Sequence, residues 1–487
     1  MAKTIKDLDK SALTYSDYTD NTDVSINTDY STKIGALSNL QTANKDNLVE
    51  AINELFQNVD SGKQLIADAI DEDSITKNST FEAMSDAIKD KRDRLYSLLS
   101  NNGYEVDNNT TFDNMMDLLE SSGIRNDEIK KIVCGRMYTM LLKKDGTLWG
   151  CGYNSSGQLG FNDTEERHSF VQVTLNISND VEDVICGEST TYVLKKDGTL
   201  WGCGANGAGQ LGLNNKTHQT TGFKQITKNI SNIKKVSSGS THTVILKNDG
   251  SIWGSGTDGN GQLGGIGTVT TFTKITSNIS NDVKDLFCIY NRTFVIKNDG
   301  SVWSCGYNGY KAVGVGSSST NITTFTKVAS VTDAKQIAGG DRFTLLLKND
   351  GTLWGCGNNG YGAYGVTTTS DQSSFVQVTN NISADVKQIA CGYYHSYILK
   401  NDGSIWSCGL NGAGQLGWGT TGTGTNNTFT KVTTNMNKDV DQIICANNYN
   451  FTFVIKNDKS LWGVGDNTYG QLGTANVVSR TTFVKIR

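Results

Sequence analysis

One short segment recurs seven times, at a nearly constant interval, along the last three-quarters of the chain. It reads Lys-Lys-Asp-Gly-Thr-Leu-Trp-Gly-Cys-Gly at residues 143–152, and its tryptophan returns as Trp201, Trp253, Trp303, Trp354, Trp406 and Trp462. The intervals between successive tryptophans are 52, 52, 50, 51, 52 and 56 residues. A repeat of about 50 residues is typical of proteins built from stacked or radially arranged modules. This period constrains the fold before any single residue is considered.

Each module contains four short stretches with the composition of β-strands. In the first complete copy they are residues 170–173, 181–187, 191–195 and 199–204. Asp197-Gly198 lies between the last two stretches and predicts a hairpin, because Asp and Gly tolerate the positive φ that such turns need. No stretch has the 3.6-residue apolar period of a helical repeat. Four antiparallel strands per module predict the blade of a β-propeller.

The two ends of the repeat region indicate how the ring closes. A Phe-x-(Lys/Gln)-(Val/Ile) strand occurs seven times, beginning at Phe170, Phe223, Phe272, Phe325, Phe375, Phe429 and Phe483. The first copy of the next strand, at residues 129–135, has no such strand before it, and residues 483–486 have nothing after them. Unpaired strand edges are generally avoided. We therefore expect an all-β seven-bladed propeller with four-stranded blades, in which the C-terminal strand completes the first blade.

The repeat resembles a known family. The pattern Asp-Gly-(Thr/Ser)-(Leu/Ile/Val)-Trp-(Gly/Ser)-x-Gly-x-Asn-x-x-Gly-Gln-Leu-Gly, complete at residues 145–160, is similar to the regulator-of-chromosome-condensation repeat. The resemblance covers about residues 127–487 and implies a seven-bladed propeller with a strand shared between the chain ends. The founding member is a chromatin-binding exchange factor for a small GTPase, and other members are binding or regulatory domains. No residues here match an exchange site, so that activity does not follow from the fold.

Composition divides the chain into two modules. Residues 1–125 contain no Trp and no Cys, and they carry 12 Lys and Arg against 23 Asp and Glu, a net charge of −11. Since the whole chain has a net charge of −5, the propeller carries +6. Nucleic-acid binding usually needs a clustered basic stripe. The sequence has no such stripe, and we expect no nucleic-acid partner.

Three segments are predicted within the first module. Residues 1–30 are interpreted as an extended acidic attachment segment, residues 31–70 as a short amphipathic or coiled-coil helix region, and residues 71–125 as a duplicated small helical unit. In the second segment Leu48, Ile52, Leu55 and Val59 follow a 4-3-4 spacing. This seam fits either one helix packing on a neighbour or an oligomerising coiled coil, which would make the protein a homo-oligomer such as a trimer.

The first module has a resemblance of its own. The run from Ile34 to Leu55 is similar to segments near the start of tail-fibre and baseplate proteins of phages that infect low-GC Gram-positive bacteria. The resemblance implies that residues 1–125 bind phage tail or baseplate proteins. It also implies that the propeller meets a glycan or a protein on the host cell surface. The expected location is the virion, after synthesis in the bacterial cytoplasm.

The sequence predicts neither catalysis nor a cofactor. The paired Cys slots of the repeat hold Ser238 and Ser255 in one module and Val464 in another, substitutions that a metal ligand would not tolerate. The chain has four histidines and no recognisable catalytic or phosphate-binding motif. It also has no apolar run of the roughly 18 residues or more that a membrane span needs, and no secretory leader. We expect a protein that is not an enzyme, holds no metal or cofactor and does not insert into a membrane.

Positions that differ between the modules are the candidates for specific binding. One variable set follows the Cys-Gly strand, as in Arg136-Met137-Tyr138 and Tyr393-Tyr394-His395. A second set follows Gln-Leu-Gly and includes Trp418, which suits a sugar platform. Aromatic and Arg side chains dominate recognition energies. The candidate ligand-binding residues are Tyr138, His242, Arg292, Phe343, Tyr361, Tyr394, His395 and Trp418. The alternative for all of them is packing against neighbouring blades.

These observations predict a non-enzymatic receptor-binding protein of the phage tail-fibre or baseplate type. The N-terminal module would anchor the protein to the particle, and the propeller would contact the host surface. Two alternatives remain open on sequence grounds. One is a structural particle component whose propeller packs against other subunits, and the other is a bacterial adhesin or protein-interaction scaffold.

Overall fold

The computed structural model describes residues 129–446 and 449–486, which contain β-strands, turns and loops. The predicted segments 1–30, 31–70 and 71–125 lie outside the described residues. The described residues belong to the second of the two units into which the chain divides, Asn126–Arg487. Within them, no helix has the length and apolar character needed to cross a membrane.

The described strands form seven antiparallel sheets of four, each built from four consecutive strands. Blade 1 contains β1 (Ile129–Cys134), β2 (Tyr138–Lys143), β3 (Leu148–Gly152) and β4 (Arg167–Val173). Blade 2 contains β5 (Val181–Cys186), β6 (Thr190–Lys195), β7 (Leu200–Gly204) and β8 (Gln219–Ile226). Blade 3 contains β9 (Ile233–Ser238), β10 (His242–Lys247), β11 (Ile252–Gly256) and β12 (Val269–Lys274).

The remaining blades follow the same order. Blade 4 contains β13 (Val283–Ile289), β14 (Arg292–Lys297), β15 (Ser301–Tyr307) and β16 (Asn321–Thr332). Blade 5 contains β17 (Ala334–Gly339), β18 (Phe343–Lys348), β19 (Leu353–Gly357) and β20 (Gln372–Val378). Blade 6 contains β21 (Val386–Cys391), β22 (His395–Lys400), β23 (Ile405–Asn411) and β24 (Gly422–Lys431). Blade 7 contains β25 (Val440–Cys445), β26 (Phe451–Lys456), β27 (Leu461–Gly465) and β28 (Arg480–Lys485).

The Asp-Gly segment forms the predicted hairpin between the second and third strands. In blade 1, Asp145 Oδ1 accepts hydrogen bonds from the backbone N–H (2.8 Å) and the hydroxyl (2.7 Å) of Thr147. Trp149 Nε1 donates to the Thr147 hydroxyl at 3.1 Å, and Lys143 Nζ lies 4.5 Å from the centroid of the Trp149 ring. The same contacts recur in the last blade, around Trp462. The repeated tryptophan is thus a framework residue that fixes the turn to its blade.

The blades close into a ring. The innermost strand of each blade contacts the innermost strand of the next, and β25 of blade 7 contacts β1 of blade 1. One apolar cluster lies at each of the seven interfaces between blades. At the closing interface, Ile132 and Leu141 of blade 1 pack with Phe451 and Phe453 of blade 7. The seven-bladed, four-stranded propeller predicted from the repeat is confirmed.

The predicted mode of closure is wrong. Residues 483–486 do not complete the first blade: β28 pairs with β27, with Trp462 opposite Lys485, and β4 completes blade 1, with Trp149 opposite Gln172. The Phe-containing strand is the fourth strand of its own module, reached directly from the third. It ends a module and does not begin the next one. The first and the last blade of the propeller are therefore both complete four-stranded sheets.

Blades 1 and 7 meet through the contacts that join the other blades. The hydroxyl of Thr139 donates to the carbonyl of Gln471 at 2.8 Å across the closing interface. The equivalent bond between blades 2 and 1 joins Thr191 to the carbonyl of Gln158 at 2.6 Å. A single β-bridge between Ser169 and Thr474 adds a backbone link. Closure therefore depends on side-chain packing and isolated hydrogen bonds, without a shared strand.

Asparagines in the linkers between blades tie each blade to the next. Asn278 follows blade 3, adopts φ 57° and donates from Nδ2 to the carbonyl of Phe325 in blade 4, at 3.1 Å. The same conformation and bond occur at Asn176, Asn229, Asn381 and Asn435. Asn adopts the left-handed region more readily than other side chains do. In a chain without proline, these residues define the linker geometry.

We predict that Asn278→Ala destabilises the propeller by about 2–3 kcal/mol, because it removes one hydrogen bond and places a Cβ-bearing residue at positive φ. Asn278→Gly, which loses the bond but tolerates the backbone conformation, should cost about 1–2 kcal/mol. Guanidinium unfolding monitored by tryptophan fluorescence measures both variants. Equal losses for the two would show that the backbone conformation of Asn278 carries no cost.

Candidate functional site

The loops that could form a binding site leave one face of the ring. The connections from the first to the second strand and from the third to the fourth strand of each blade end on this face, which we call the loop face. The hairpins around the Asp-Gly turns and the linkers between blades lie on the opposite face. All predicted site residues belong to elements at or near the loop face.

Five of the eight candidate residues are fully buried. Each is the first residue of a second strand, and each is 0% exposed: Tyr138, His242, Arg292, Phe343 and His395. As candidate ligand-binding residues these five side chains should be accessible to a ligand, and the structure shows that they are not. The second strand of a blade is buried along its whole length or nearly so, as in β2 and β22. The side chain of its first residue is therefore also enclosed between blades. A ligand on the loop face does not reach these groups.

Four of the buried side chains hydrogen-bond to the next blade. The Tyr138 hydroxyl donates to the carbonyl of Thr190 at 2.6 Å, and an Arg292 Nη donates to the carbonyl of Asp341 at 2.6 Å. His242 Nε2 and His395 Nε2 lie 2.9 and 3.0 Å from the hydroxyls of Thr293 and Thr452. Packing against neighbouring blades, the alternative considered from sequence, describes them.

Blade 7 has two additional residues before its second strand. Phe451, and not Tyr449, begins the second strand there, because Phe451 pairs with Gly465 as Tyr138 pairs with Gly152. The loop before it is two residues longer than its counterparts. This insertion contributes to the 56-residue interval between the last two tryptophans. Tyr449 is consequently a partly exposed loop residue.

Trp418 is partly exposed and packs at the edge of a blade, the alternative to a sugar platform. Its ring packs against the apolar cluster between blades 6 and 7, which includes Val464 and Phe483. The Nε1 atom of Trp418 is buried without a hydrogen-bond partner. The backbone next to it is held to blade 7, where Gly419 N–H donates to the carbonyl of Thr481 at 2.9 Å. Trp418 therefore contributes to the interface between blades.

The other two candidates, Tyr361 and Tyr394, meet in an aromatic cluster on the loop face. Their rings stack with centroids 4.4 Å apart, and the ring of Tyr393 lies 4.1 Å from that of Tyr394. The Arg342 guanidinium lies 4.4 Å from the Tyr310 ring and 5.3 Å from the Tyr394 ring. We call these five residues the tyrosine–arginine surface. It spans blades 4, 5 and 6.

The buried Asp341 side chain holds two members of this surface, Arg342 and Tyr394, by hydrogen bonds. Its carboxylate, only 9% exposed, accepts hydrogen bonds from Arg342 Nε at 3.1 Å and from the Tyr394 hydroxyl at 3.2 Å. Burial raises the pKa of Tyr394 well above its ordinary value, so the phenol stays protonated and donates. The backbone N–H of Asp341 donates to the carbonyl of Tyr393 at 3.3 Å, which joins blades 5 and 6. The aromatic and cationic groups are therefore held before any ligand arrives.

Sequence reasoning did not select Tyr310, Arg342 or Tyr393 as site residues, although a signal for Tyr310 exists. Blades 4 and 5 depart from the Gly-Gln-Leu-Gly pattern, with Ala312 and Ala363 in place of its glutamine. In other blades this glutamine holds its loop, as when Gln158 Oε1 accepts the N–H of Ser156 at 3.0 Å. The tyrosines Tyr310 and Tyr361 occupy the position equivalent to Ser156. The departure from the repeat thus marks the surface.

The axis of the ring contains a cavity of about 260 Å³. Inner-strand residues such as Ser237, Phe287 and Ile444 line it, and it extends to Tyr290 in a loop of the loop face. Its glutamines are engaged by the neighbouring inner strand. Gln336 Nε2 donates to the carbonyl of Ile389 at 2.8 Å, and its Oε1 accepts the N–H of the same residue at 3.0 Å. The side-chain amide of Gln336 thereby hydrogen-bonds the backbone N–H and carbonyl of Ile389 on the unpaired edge of the inner strand.

The cysteines of the described residues form no disulfides, and they pack between blades. Cys151 Sγ lies 3.4 Å from the carbonyl of Gln471 in the neighbouring blade, and Cys203 Sγ lies 3.4 Å from that of Gln158. Burial raises the pKa of the Cys186 thiol to about 12. Among residues 129–446 and 449–486, no group of three or more His, Cys, Asp and Glu side chains is placed to hold a metal ion.

Comparison with known proteins agrees with the geometry of the ring. A family model described as the RCC1-like domain matches residues 103–422, more than half of the chain. The chain belongs to the RCC1-like domain family. It is 26% identical over 303 residues to the ultraviolet-B receptor UVR8 of Arabidopsis thaliana, covering 61% of this chain and 69% of that protein. It is 26% identical over 318 residues to the human regulator of chromosome condensation, covering 60% and 75%.

Solved structures show the same fold. The crystal structure of human WBSCR16 matches this RCC1-like chain with a TM-score of 0.60 and 20% identity, covering 70% of this chain and 94% of that one. Yeast RCC1 (Prp20) bound to Kap60 matches with a TM-score of 0.58 and 18% identity, covering 66% and 78%. The resemblance of the propeller repeat to this family is thereby confirmed. The resemblance of residues 1–125 to phage proteins stays a prediction.

The two buried histidines predict a pH-dependent stability. Burial lowers the pKa of His242 and of His395 from 6.5 to about 3. The unfolded chain therefore binds more protons, and the stability that is fully present above pH 6.5 declines as the pH falls towards 3. From 1.36 kcal/mol per pKa unit, the loss at pH 4.5 is about 2–3 kcal/mol per histidine.

We predict that the double variant His242→Gln/His395→Gln loses less unfolding free energy than the wild type between pH 7 and pH 4.5. Guanidinium titrations at both pH values measure the difference. The double variant His168→Gln/His218→Gln, at two exposed histidines, is the matched control and should behave as the wild type does. An unchanged pH dependence in the buried variant would contradict the assignment.

Proposed function

We propose that the propeller is a non-enzymatic recognition domain and that its contact site is the tyrosine–arginine surface. The observation that carries this proposal is the preorganisation of Tyr310, Tyr361, Tyr393 and Arg342 around the nearly buried Asp341. Tyr and Arg side chains supply a large share of binding energy at interfaces. Groups already held in place lose little conformational entropy on binding.

The character of the surface supports a macromolecular ligand with both apolar and polar groups. Tyr310, Tyr361 and Tyr393 are partly exposed, and the Arg342 side chain is 33% exposed. Their ring faces offer flat apolar contact, while the phenol groups and the guanidinium offer hydrogen bonds. A cell-surface glycan or an exposed loop of a surface protein combines these two features.

For the chain as a whole, we propose a receptor-binding protein of a phage tail fibre or baseplate. The support is the resemblance of residues 34–55 to the start of such proteins, together with the acidic, tryptophan-free composition of residues 1–125. In this proposal the N-terminal module binds tail or baseplate proteins, and the loop face of the propeller meets the host. The gene would then lie among tail genes in its genome, which inspection of that genome tests.

We predict that Arg342→Ala and Tyr393→Ala each weaken binding to host cells at least about tenfold, as loss of an interface hot spot does. The measurement uses the fluorescently labelled full-length chain on a panel of low-GC Gram-positive strains, followed by titration on the strains that bind. Removal of surface glycans by periodate, or of surface proteins by protease, then identifies the ligand class.

The matched control is Tyr469→Ala. Tyr469 is a partly exposed tyrosine of blade 7, at the loop position that Tyr310 and Tyr361 occupy in blades 4 and 5. Its ring lies 4.9 Å from that of Tyr153 and outside the tyrosine–arginine surface. This variant should bind within about twofold of the wild type. Trp418→Phe, at a partly exposed side chain that packs between blades 6 and 7, should also bind normally. Equal losses in all variants would contradict a specific site, and absence of binding to every strain would favour a structural role within a particle.

A further inference from the structure

A ring of lysines surrounds the axis on the face opposite the loop face. The second residue of the innermost strand is an exposed lysine in five of the seven blades. We call these residues the lysine ring: Lys130, Lys234, Lys284, Lys335 and Lys387. The corresponding residues of blades 2 and 7 are Glu182 and Asp441. Because all inner strands run in the same direction, their second residues border the same mouth of the channel.

Hydrogen bonds between adjacent blades show that these residues are neighbours along the rim. Lys234 Nζ donates to the carbonyl of Lys284 at 2.9 Å, and Lys335 Nζ donates to the carbonyl of Lys387 at 3.0 Å. Lys130 and Glu182 form the same contact at 2.7 Å, with an ion pair at 3.0 Å. Blades 3 to 6 therefore place four lysines in succession around the mouth.

Among the described residues, Lys387 is the one member of this run that pairs with a nearby acidic group, Asp441. Asp441 already accepts ion pairs from Lys387 at 3.5 Å and Lys459 at 3.1 Å. The aspartates that precede the inner strands are engaged elsewhere, as Asp282 is by the nearly buried Lys297 at 3.1 Å. One residue further along the inner strands, Lys and Asp pair with each other: Lys131 with Asp183 at 2.6 Å and Lys235 with Asp285 at 2.7 Å. The positive surplus is thus concentrated at the rim.

Protection of the inner strand edges does not explain the sign of these charges. Charged side chains do discourage edge-to-edge pairing. The hydrogen bond to the carbonyl of the next blade needs a donor at this position, yet blades 2 and 7, with Glu182 and Asp441, do without one. Alternating signs would also gain ion pairs, as Lys130 and Glu182 do. Lys234, Lys284 and Lys335, which have no acidic partner among the described residues, repel one another. A bound polyvalent anion removes that repulsion.

We propose that the lysine ring is a binding site for a compact polyanion carrying several phosphate or sulfate groups. Lysine side chains bind such groups as flexible point charges with three donors each. The site lies on the opposite face from the tyrosine–arginine surface and is independent of the proposed recognition of a host. A ligand could therefore occupy the channel mouth while the loop face is engaged.

Isothermal titration of the full-length chain with inorganic tripolyphosphate at low salt tests the proposal. We expect saturable binding that weakens as the salt concentration rises, since the contacts are ionic. The double variant Lys284→Gln/Lys335→Gln should bind at least about tenfold more weakly, because it loses two charge-assisted contacts. Lys284→Arg/Lys335→Arg should remain within about threefold of the wild type, since it keeps both charges.

The matched control, Lys216→Gln/Lys228→Gln, changes the net charge equally at two exposed lysines outside the inner strands, one in the loop before β8 and one in the linker after it. It should bind as the wild type does. Equal weakening in the control and ring variants would show diffuse attraction and overturn the proposal. Absence of saturable binding by the wild type would also overturn it and leave edge protection as the role of the ring. Replacing tripolyphosphate by sulfated oligosaccharide distinguishes a phosphate from a sulfate ligand.

Discussion

The burial of apolar side chains between adjacent blades is the constraint on which the rest of this propeller depends. A four-stranded blade has two faces, and each face must be covered by a neighbour. The seven apolar clusters each join residues of two blades, and the cluster between blades 7 and 1 is buried and apolar like the others. A single repeat cannot bury its apolar faces alone, and neighbouring repeats bury them together. The stability of any one blade is therefore inseparable from closure of the ring.

This constraint explains why variation between repeats misleads when it is taken for exposure. The first residue of the second strand is Tyr138, His242 or Arg292 in different blades, and all three are fully buried. Each meets a different partner in the next blade, namely a carbonyl of Thr190, a hydroxyl of Thr293 or a carbonyl of Asp341. Side chain and partner differ together, so the position differs between blades without facing solvent. A position that differs between repeats is one where substitution is tolerated. Whether that position contacts a ligand or a neighbouring blade depends on whether its side chain is exposed or buried.

The fold was predictable from the period, the Asp-Gly hairpins and the tryptophan slot, because these are local patterns that repeat within each module. The mode of closure was not, since assigning the Phe483 strand to the end of a module or to the start of the next is equivalent in a periodic sequence. Pairing of Lys485 with Trp462 decides it. Of the site, Tyr361 and Tyr394 were predicted, whereas Arg342 was not, because its role depends on Tyr310 in another blade. Contacts between side chains of different modules produce no periodic pattern in the sequence from which they could be predicted.

The location of the tyrosine–arginine surface follows from the same framework. In most blades a glutamine holds the third loop, as Gln471 does when its Oε1 accepts the N–H of Tyr469 at 2.9 Å. Ala312 and Ala363 cannot form this bond, yet they keep the backbone contact to the next blade, as the Thr344 hydroxyl does with the carbonyl of Ala312 at 2.7 Å. The interface between blades is thus preserved while the loop above it is held by ring stacking and by Arg342. The glutamine bond within the third loop is not required for closure of the ring, so its loss in blades 4 and 5 leaves these loops able to form a site.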